Sequence, residues 1–261
     1  MDALGDLVTR ERRSDDSALL APRENRRYDY HRFCTTAWKT GNFWRRRGVH
    51  ADAAVAVADD PEPEAVFSFL GAALLGATTR FGLPDAADAA DLDARVVVAR
   101  SDEIGDYEVP PGCQRVGYGG PPDDPAIAHF ERDVWSENPA FPETPVESEA
   151  VALVARDERD ERDEARNAGT DAADGRREFS HADLLVAARD MADDWNLATG
   201  DAVAVRAPLA RPGTVVAGVV APLLAGAAVL FPDDEATGDF AVAEGDAPEE
   251  TVVRPADVRI N

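Results

Sequence analysis

Gly48-Val49-His50-Ala51-Asp52-Ala53-Ala54-Val55-Ala56-Val57 is answered about 150 residues later by Leu197-Ala198-Thr199-Gly200-Asp201-Ala202-Val203-Ala204-Val205. Each stretch is a tight turn feeding a short apolar run. A run that is apolar without alternation suits a strand covered on both faces, as in a parallel sheet. The flanks repeat as well. On the amino side of the first copy, Tyr28-Asp29-Tyr30-His31 leads into a helical pattern over His31–Arg47, with Asp29 as its cap and Phe33, Ala37, Phe43 and Trp44 near one face. Phe179-Ser180-His181, Leu184-Leu185 and Trp195 hold the matching places in the second copy. On the carboxyl side, Glu64–Gly76 is a helix apolar nearly all round, ending in Gly76-Ala77. Its counterpart is the apolar run from Val215 to Phe231, which carries Leu224-Ala225-Gly226-Ala227 and is interrupted by Pro222. Helix, turn, buried strand and apolar helix, given twice, predict two pseudo-symmetric α/β subdomains.

The remaining segments fit around that pair. Arg95–Ala99 reads as a further strand, and Glu149–Ala155 as another. Tyr107–Pro125 is rich in glycine and proline and reads as loop, Gly117-Tyr118-Gly119-Gly120 included. Ile127–Trp135 reads as a short helix, Asn138–Pro145 as an extended connection and Thr251–Arg254 as a last strand. Residues 156–178 are low-complexity charge with almost nothing to bury, which predicts a solvated loop. The expected organisation is a charged N-terminal segment over residues 1–22, frayed or loosely docked, a first α/β subdomain over 23–148, and a second over 149–261 that carries the charged loop.

Composition narrows the function classes. The 261 residues carry 51 acidic and 27 basic side chains, a net charge of −24, and Lys39 is the only lysine. Acid in excess with lysine nearly absent is the pattern expected of adaptation to high salt, where surface carboxylates are hydrated and screened. No basic stripe with interleaved aromatics is present, which argues against nucleic-acid binding. The apolar run Val215–Phe231 is short for a membrane span and is broken by Pro222, so it reads as a buried helix entering a strand. Met1-Asp2-Ala3-Leu4 lacks the cationic start of a secretory signal, and the expected location is the cytoplasm. Cys34 and Cys113 make no disulfide framework. No pair among His31, His50, His129 and His181 has metal-ligand spacing, and no Gly-x-Ser-x-Gly elbow marks a hydrolase.

The order and spacing of these pieces resembles the large N-terminal domain of the acyl-adenylate-forming superfamily, which includes acyl-CoA synthetases, peptide-synthetase adenylation domains and luciferases. The first subdomain of that family carries Tyr-x-Tyr, then Gly-Val-x-x-Gly-Asp-x-Val-Ala-Val, then an apolar helix ending in Gly-Ala. Tyr28, Tyr30, Gly48–Val57 and Gly76-Ala77 match, with Ala51 where the family has glycine. The second carries Ser-His-x-x-Leu, Leu-x-x-Gly-Asp-x-Val, a Pro-Leu turn and Leu-x-x-Gly-Ala. Ser180-His181, Leu197–Val203, Pro208-Leu209 and Leu224–Ala227 match. The resemblance implies ATP, Mg²⁺ and often CoA as cofactors, and adenylation of a carboxylate as the reaction.

Adenylation requires the ATP phosphates to be held and their charge neutralised while the carboxylate attacks. The family does this with a Gly/Ser/Thr-rich loop ending in Pro-Lys. Here the charged segment 156–178 fills that place, without Pro-Lys and with many carboxylates that repel polyphosphate. The family's Tyr-Gly-x-Thr-Glu segment is absent, and Thr199-Gly200-Asp201, though it spells another family tripeptide, precedes a strand of the repeat and reads as a turn. The expectation is therefore a non-catalytic relative with no assigned catalytic or metal residue. His181 and Pro208 are the candidate ligand-pocket residues, and a full-length synthetase or a second copy of the chain is the expected partner. The alternative is a ligase fragment that still binds an acyl or adenylate ligand, completed by another chain.

Overall fold

The computed structural model describes residues 1–142, 144–156 and 176–260. The strands are β1 Ser17–Ala21, β2 Arg26–Asp29, β3 Ala54–Val57, β4 Thr78–Phe81, β5 Val96–Arg100, β6 Gln114–Tyr118, β7 Ala128–His129, β8 Val151–Arg156, β9 Arg176–Ser180, β10 Ala202–Val205, β11 Ala228–Leu230, β12 Phe240–Val242 and β13 Thr251–Val253. The α-helices are α1 Tyr30–Arg46, α2 Pro63–Ala73, α3 Phe130–Trp135, α4 His181–Trp195, α5 Pro212–Val215 and α6 Ala221–Ala225, with a π-turn over Val216–Val220 joining the last two. Two mixed sheets result, in the orders β7-β6-β5-β3-β4-β8-β9 and β13-β12-β10-β11-β1-β2. The predicted two-fold repeat is realised. In the first copy α1 leads to β3, which pairs in parallel with β4; in the second α4 leads to β10, which pairs in parallel with β11.

The repeat also shows how one turn is built twice. Gly200 takes the left-handed conformation, φ +104°, and Asp201 closes the turn by accepting the Ala198 N–H at 2.8 Å. Thr199-Gly200-Asp201 is thus a turn, as its place before a strand predicted. In the first copy Ala51 replaces the glycine and the left-handed residue moves one place, to Asp52 at φ +70°. Asp and Asn tolerate that region better than alanine does.

α1 is held by its cap, with Asp29 Oδ1 accepting the Arg32 N–H at 2.7 Å, and it packs on α2. Trp44, Phe43 and Phe130 form one aromatic cluster, and Tyr28, Phe33 and Phe67 another. Gly71 lets the two helices approach, because an added Cβ would lie 2.7 Å from Thr40 Cγ2. In the second copy Pro222 has no N–H for an ordinary helical bond. The ladder widens just before it, where the Ala221 N–H reaches Val216 O.

Four expectations are corrected. The N-terminal segment is neither frayed nor loosely docked: Leu4, Leu7 and Val8 are fully buried, Trp38 Nε1 donates to Val8 O at 2.6 Å, and β1 runs in parallel beside β11. The charges of Arg10–Arg13 masked the helical spacing of 4, 7 and 8. Secondly, the division at 148/149 does not divide the sheets. β1 and β2, from the first half, complete the second sheet, and β8 and β9, from the second half, complete the first. Thirdly, β6 runs through the segment read as loop, with Gly117 and Tyr118 in it, because Val116 is fully buried and pairs beside β5. Fourthly, the charged segment is not loop at its ends. Arg156 closes β8 and Arg176–Glu178 belong to β9, where the ladder with β8 satisfies their backbone. The rest of the predicted charged loop, 157–175, lies outside the described residues.

Candidate functional site

In open α/β sheets ligands bind beyond the carboxyl ends of the strands. Here the ends of β3, β4 and β8 from the first sheet meet the turn that follows β10 of the second. That turn is Arg206-Ala207-Pro208-Leu209-Ala210-Arg211. Pro208 cannot continue a strand ladder, and Pro212 starts α5 as its first residue, where a missing N–H is harmless. The crevice between the sheets has a volume of about 460 Å³ and is lined by Asp59, Arg80, Phe81, Ala155, Pro208 and Arg211, among others.

Asp59 is the link across it. One carboxylate oxygen accepts the Leu209 N–H at 2.5 Å and the other accepts the Ala210 N–H at 3.1 Å. Two successive backbone N–H groups aimed at one point make a ready cradle for an anion, and the chain's own carboxylate fills it. Burial pushes the Asp59 carboxyl above its usual range, against the two N–H donors and Arg211, while Asp60 adds repulsion.

Several other charges near the crevice are matched within the chain, whereas Arg80 in its lining has a buried Nε without a hydrogen-bond partner among the described residues. Arg206 holds Glu249 through three contacts of 2.8 to 3.1 Å and also donates to Ala236 O. Glu249 accepts the Gly238 N–H as well. Burial would raise Glu249, yet Arg206 and that N–H keep it below the usual glutamate range. Arg211 Nε lies 3.1 Å from Glu244 Oε1. The acidic connector from Asp59 to Glu64 is anchored at every carboxylate: Asp60 accepts from the Tyr118 hydroxyl, Glu62 pairs with Arg100 at 3.3 Å, and Glu64 pairs with Arg26 at 2.5 Å. Burial, with Glu24 and Glu64 nearby, pushes Glu62 up to about 7.

The two sequence-predicted residues are not brought together. Pro208 lines the crevice. His181 does not; it is the first residue of α4, behind a capping box in which Ser180 Oγ accepts the Asp183 N–H at 3.1 Å and Asp183 accepts the Ser180 N–H at 2.9 Å. The imidazole is fully buried beneath the N-terminal segment. Its Nδ1 accepts the Leu4 N–H at 3.2 Å, so the proton of the neutral ring sits on Nε2, which has no partner among the described residues. Burial pushes its pKa down to about 4, with Asp6 opposing weakly. His181 is a neutral core residue in this arrangement. Asp59, Arg206 and Glu249 were not singled out from sequence. The signal for Asp59 was its place directly after a buried strand, at the carboxyl end of a parallel sheet. Among the described residues no group of three or more His, Cys, Asp or Glu side chains is arranged to hold a metal ion, and no helix is long and apolar enough to cross a membrane.

No family model and no curated protein matches the chain. Solved structures do. The anthranilate CoA ligase AuaEII, in complex with anthranoyl-AMP, superposes with a TM-score of 0.75 at 18% identity, over 92% of this chain and 49% of that one. A benzoate CoA ligase from Burkholderia xenovorans LB400 gives 0.71 at 18% identity, over 93% and 50%. The N-terminal domain of FACL13 from Mycobacterium tuberculosis gives 0.70 at 16% identity, over 93% and 63%. The chain spans about half the length of the two CoA ligases. The likeness is one of fold: this is the α/β architecture of the N-terminal domain of adenylate-forming ligases.

Proposed function

We propose that the chain is a non-catalytic, cytoplasmic binding or regulatory protein built on the adenylate-forming fold, whose partner is a full-length synthetase or a second copy of itself. The observation that carries this reading is the Asp59 clamp. The N–H pair at Leu209 and Ala210 is suited to an acyl carboxylate or a phosphate, and a fixed carboxylate already holds it. A polyanion entering beside Asp59 meets repulsion in a site of low dielectric. The lack of Pro-Lys and the density of carboxylates in 156–178 point the same way.

The test is thermal unfolding in high KCl with and without ATP, AMP and a non-hydrolysable acyl-adenylate analogue, alongside pyrophosphate release with short, medium and aryl acids. A ligand at about 100 times its Kd adds about 2.7 kcal/mol to the folded state, a shift of a few degrees for a domain of this size. The expected result is no shift and no pyrophosphate. A shift with the adenylate analogue would replace this reading with the ligase-fragment one, in which another chain completes the site around Pro208.

A further inference from the structure

A second cavity, of about 680 Å³, shares no lining residue with the crevice. Its wall is aromatic, built from Tyr28, Phe67 and Phe130, all buried. Glu64 lines it with a side chain 1% exposed. Arg26 takes Oε1, while Oε2 has no hydrogen-bond partner among the described residues. Glu131 lies beside it, with Oε1 on the Gly119 N–H at 2.7 Å and Oε2 3.0 Å from His129 Nε2. Glu64 is thus one donor short, and an unmet carboxylate oxygen in such a place is costly.

The rest of the lining has the opposite character. In a chain of net charge −24, Arg13, Arg32 and Lys39 gather around this one cavity, and none of the three pairs with a carboxylate among the described residues. Backbone carbonyls and aromatic faces hold them instead: Lys39 Nζ donates to Trp135 O at 2.5 Å and Arg32 Nη1 to Arg27 O at 3.4 Å. The Arg32 guanidinium lies 4.6 Å over the Tyr28 ring and the Lys39 ammonium 4.8 Å over Trp135, whose indole is 77% exposed.

The geometry points to a binding site for a small amphipathic zwitterion: an amine donating to Glu64 Oε2, an aromatic or apolar body against Tyr28, Phe67 and Phe130, and a carboxylate received by Arg32 and Lys39. Each part answers a feature the cavity presents. The amine supplies the missing donor, the body covers apolar wall, and the carboxylate meets cations that have no acid of their own. An acid without the amine leaves Glu64 unmet. An amine without the acid leaves the cations in water, and an uncharged aromatic answers only the wall.

Three probes of one shape separate these parts: 4-(aminomethyl)benzoate, benzylamine and 4-methylbenzoate. Calorimetric titration at fixed ionic strength, with tryptophan fluorescence as reporter of Trp135, is the measurement. The zwitterion is expected to bind one to one, with each truncation weakening binding roughly tenfold or more. In Glu64→Gln the zwitterion and the plain acid should bind alike. In Arg32→Gln, at an exposed position that cannot cost the fold much, the zwitterion and the plain amine should bind alike. If Glu64→Gln fails to fold, the Arg32→Gln comparison decides alone. The inference is overturned if the folded wild-type protein shows no response to the zwitterion at millimolar concentration, if the three probes bind equally, or if Arg32→Gln changes nothing.

Discussion

The burial of His181 has a pH signature that can be worked out in advance. The folded imidazole titrates at about 4 because it is buried, while in the unfolded chain a histidine titrates near its ordinary value of about 6.5. Between these values the unfolded state binds the proton and the folded state does not, so stability falls as pH drops through that window and the full loss is present below it. Going from about pH 7 to about pH 4.5 should cost roughly 2.5 kcal/mol at this one site. Other groups titrate over the same range. Glu62, raised to about 7, holds its proton better folded than unfolded, so lowering pH favours the folded state there. A comparison with His181→Asn removes these shared terms, because the asparagine carbonyl can still accept the Leu4 N–H. Urea unfolding of both proteins at the two pH values, in the same high KCl, gives the difference. The wild-type protein should lose about 2 to 3 kcal/mol more than the variant on acidification. If the two fall in parallel within about 0.5 kcal/mol, the imidazole titrates as an exposed one and the sealing role given to the N-terminal segment is wrong.

Three further perturbations test other parts of the structure. Leu7→Ala should cost about 2 to 5 kcal/mol in urea unfolding, because Leu7 is fully buried; a cost near zero would restore a frayed N-terminus. Arg206→Ala leaves the covered Glu249 carboxylate without its cation and should cost about 3 to 5 kcal/mol, while Arg206→Ala combined with Glu249→Gln should recover part of it; equal loss in both would show that the charge is not the cause. Gly213→Ala places a Cβ 2.1 Å from the Pro255 carbonyl oxygen, so α5 must move from that segment; a thermal midpoint unchanged within a degree would refute the close approach.

The sequence was informative wherever a local pattern and the tertiary role coincided. The apolar runs at Val55–Val57 and Val203–Val205 are buried parallel strands because nothing else suits so uniform a composition. Asp29 caps its helix, as a short polar side chain just before a helical pattern predicts. The misses have a common cause, which is that long-range pairing overrode local composition. Leu4, Leu7 and Val8 lie among charges, and packing on the surfaces of α1 and α2 turns them into core. Val116 sits in a glycine- and proline-rich stretch and is a strand only because β5 is beside it. His181 carried the resemblance to a ligand pocket, but its surroundings are set by a residue 177 positions away. The carboxylates from Asp59 to Glu64 each find a partner on an element that no local rule could name.

The exchange of strands explains why the repeat does not make two separable halves. β1 supplies the neighbour that β11 needs, and Tyr30, just after β2, donates its hydroxyl to Ala227 O at 2.8 Å at the start of β11. β8 in turn closes the β4 side of the first sheet, and Thr78 Oγ1 donates to Val151 O at 3.0 Å. A chain cut between residues 148 and 149 would leave β4 and β11 each with an unpaired edge, and unpaired backbone groups at a covered edge are costly. Both halves therefore depend on both sheets, and the Asp59 clamp lies on the seam they share. The crevice is held by the same contacts that hold the halves together. That gives its geometry a structural reason to persist whatever chemistry is performed there.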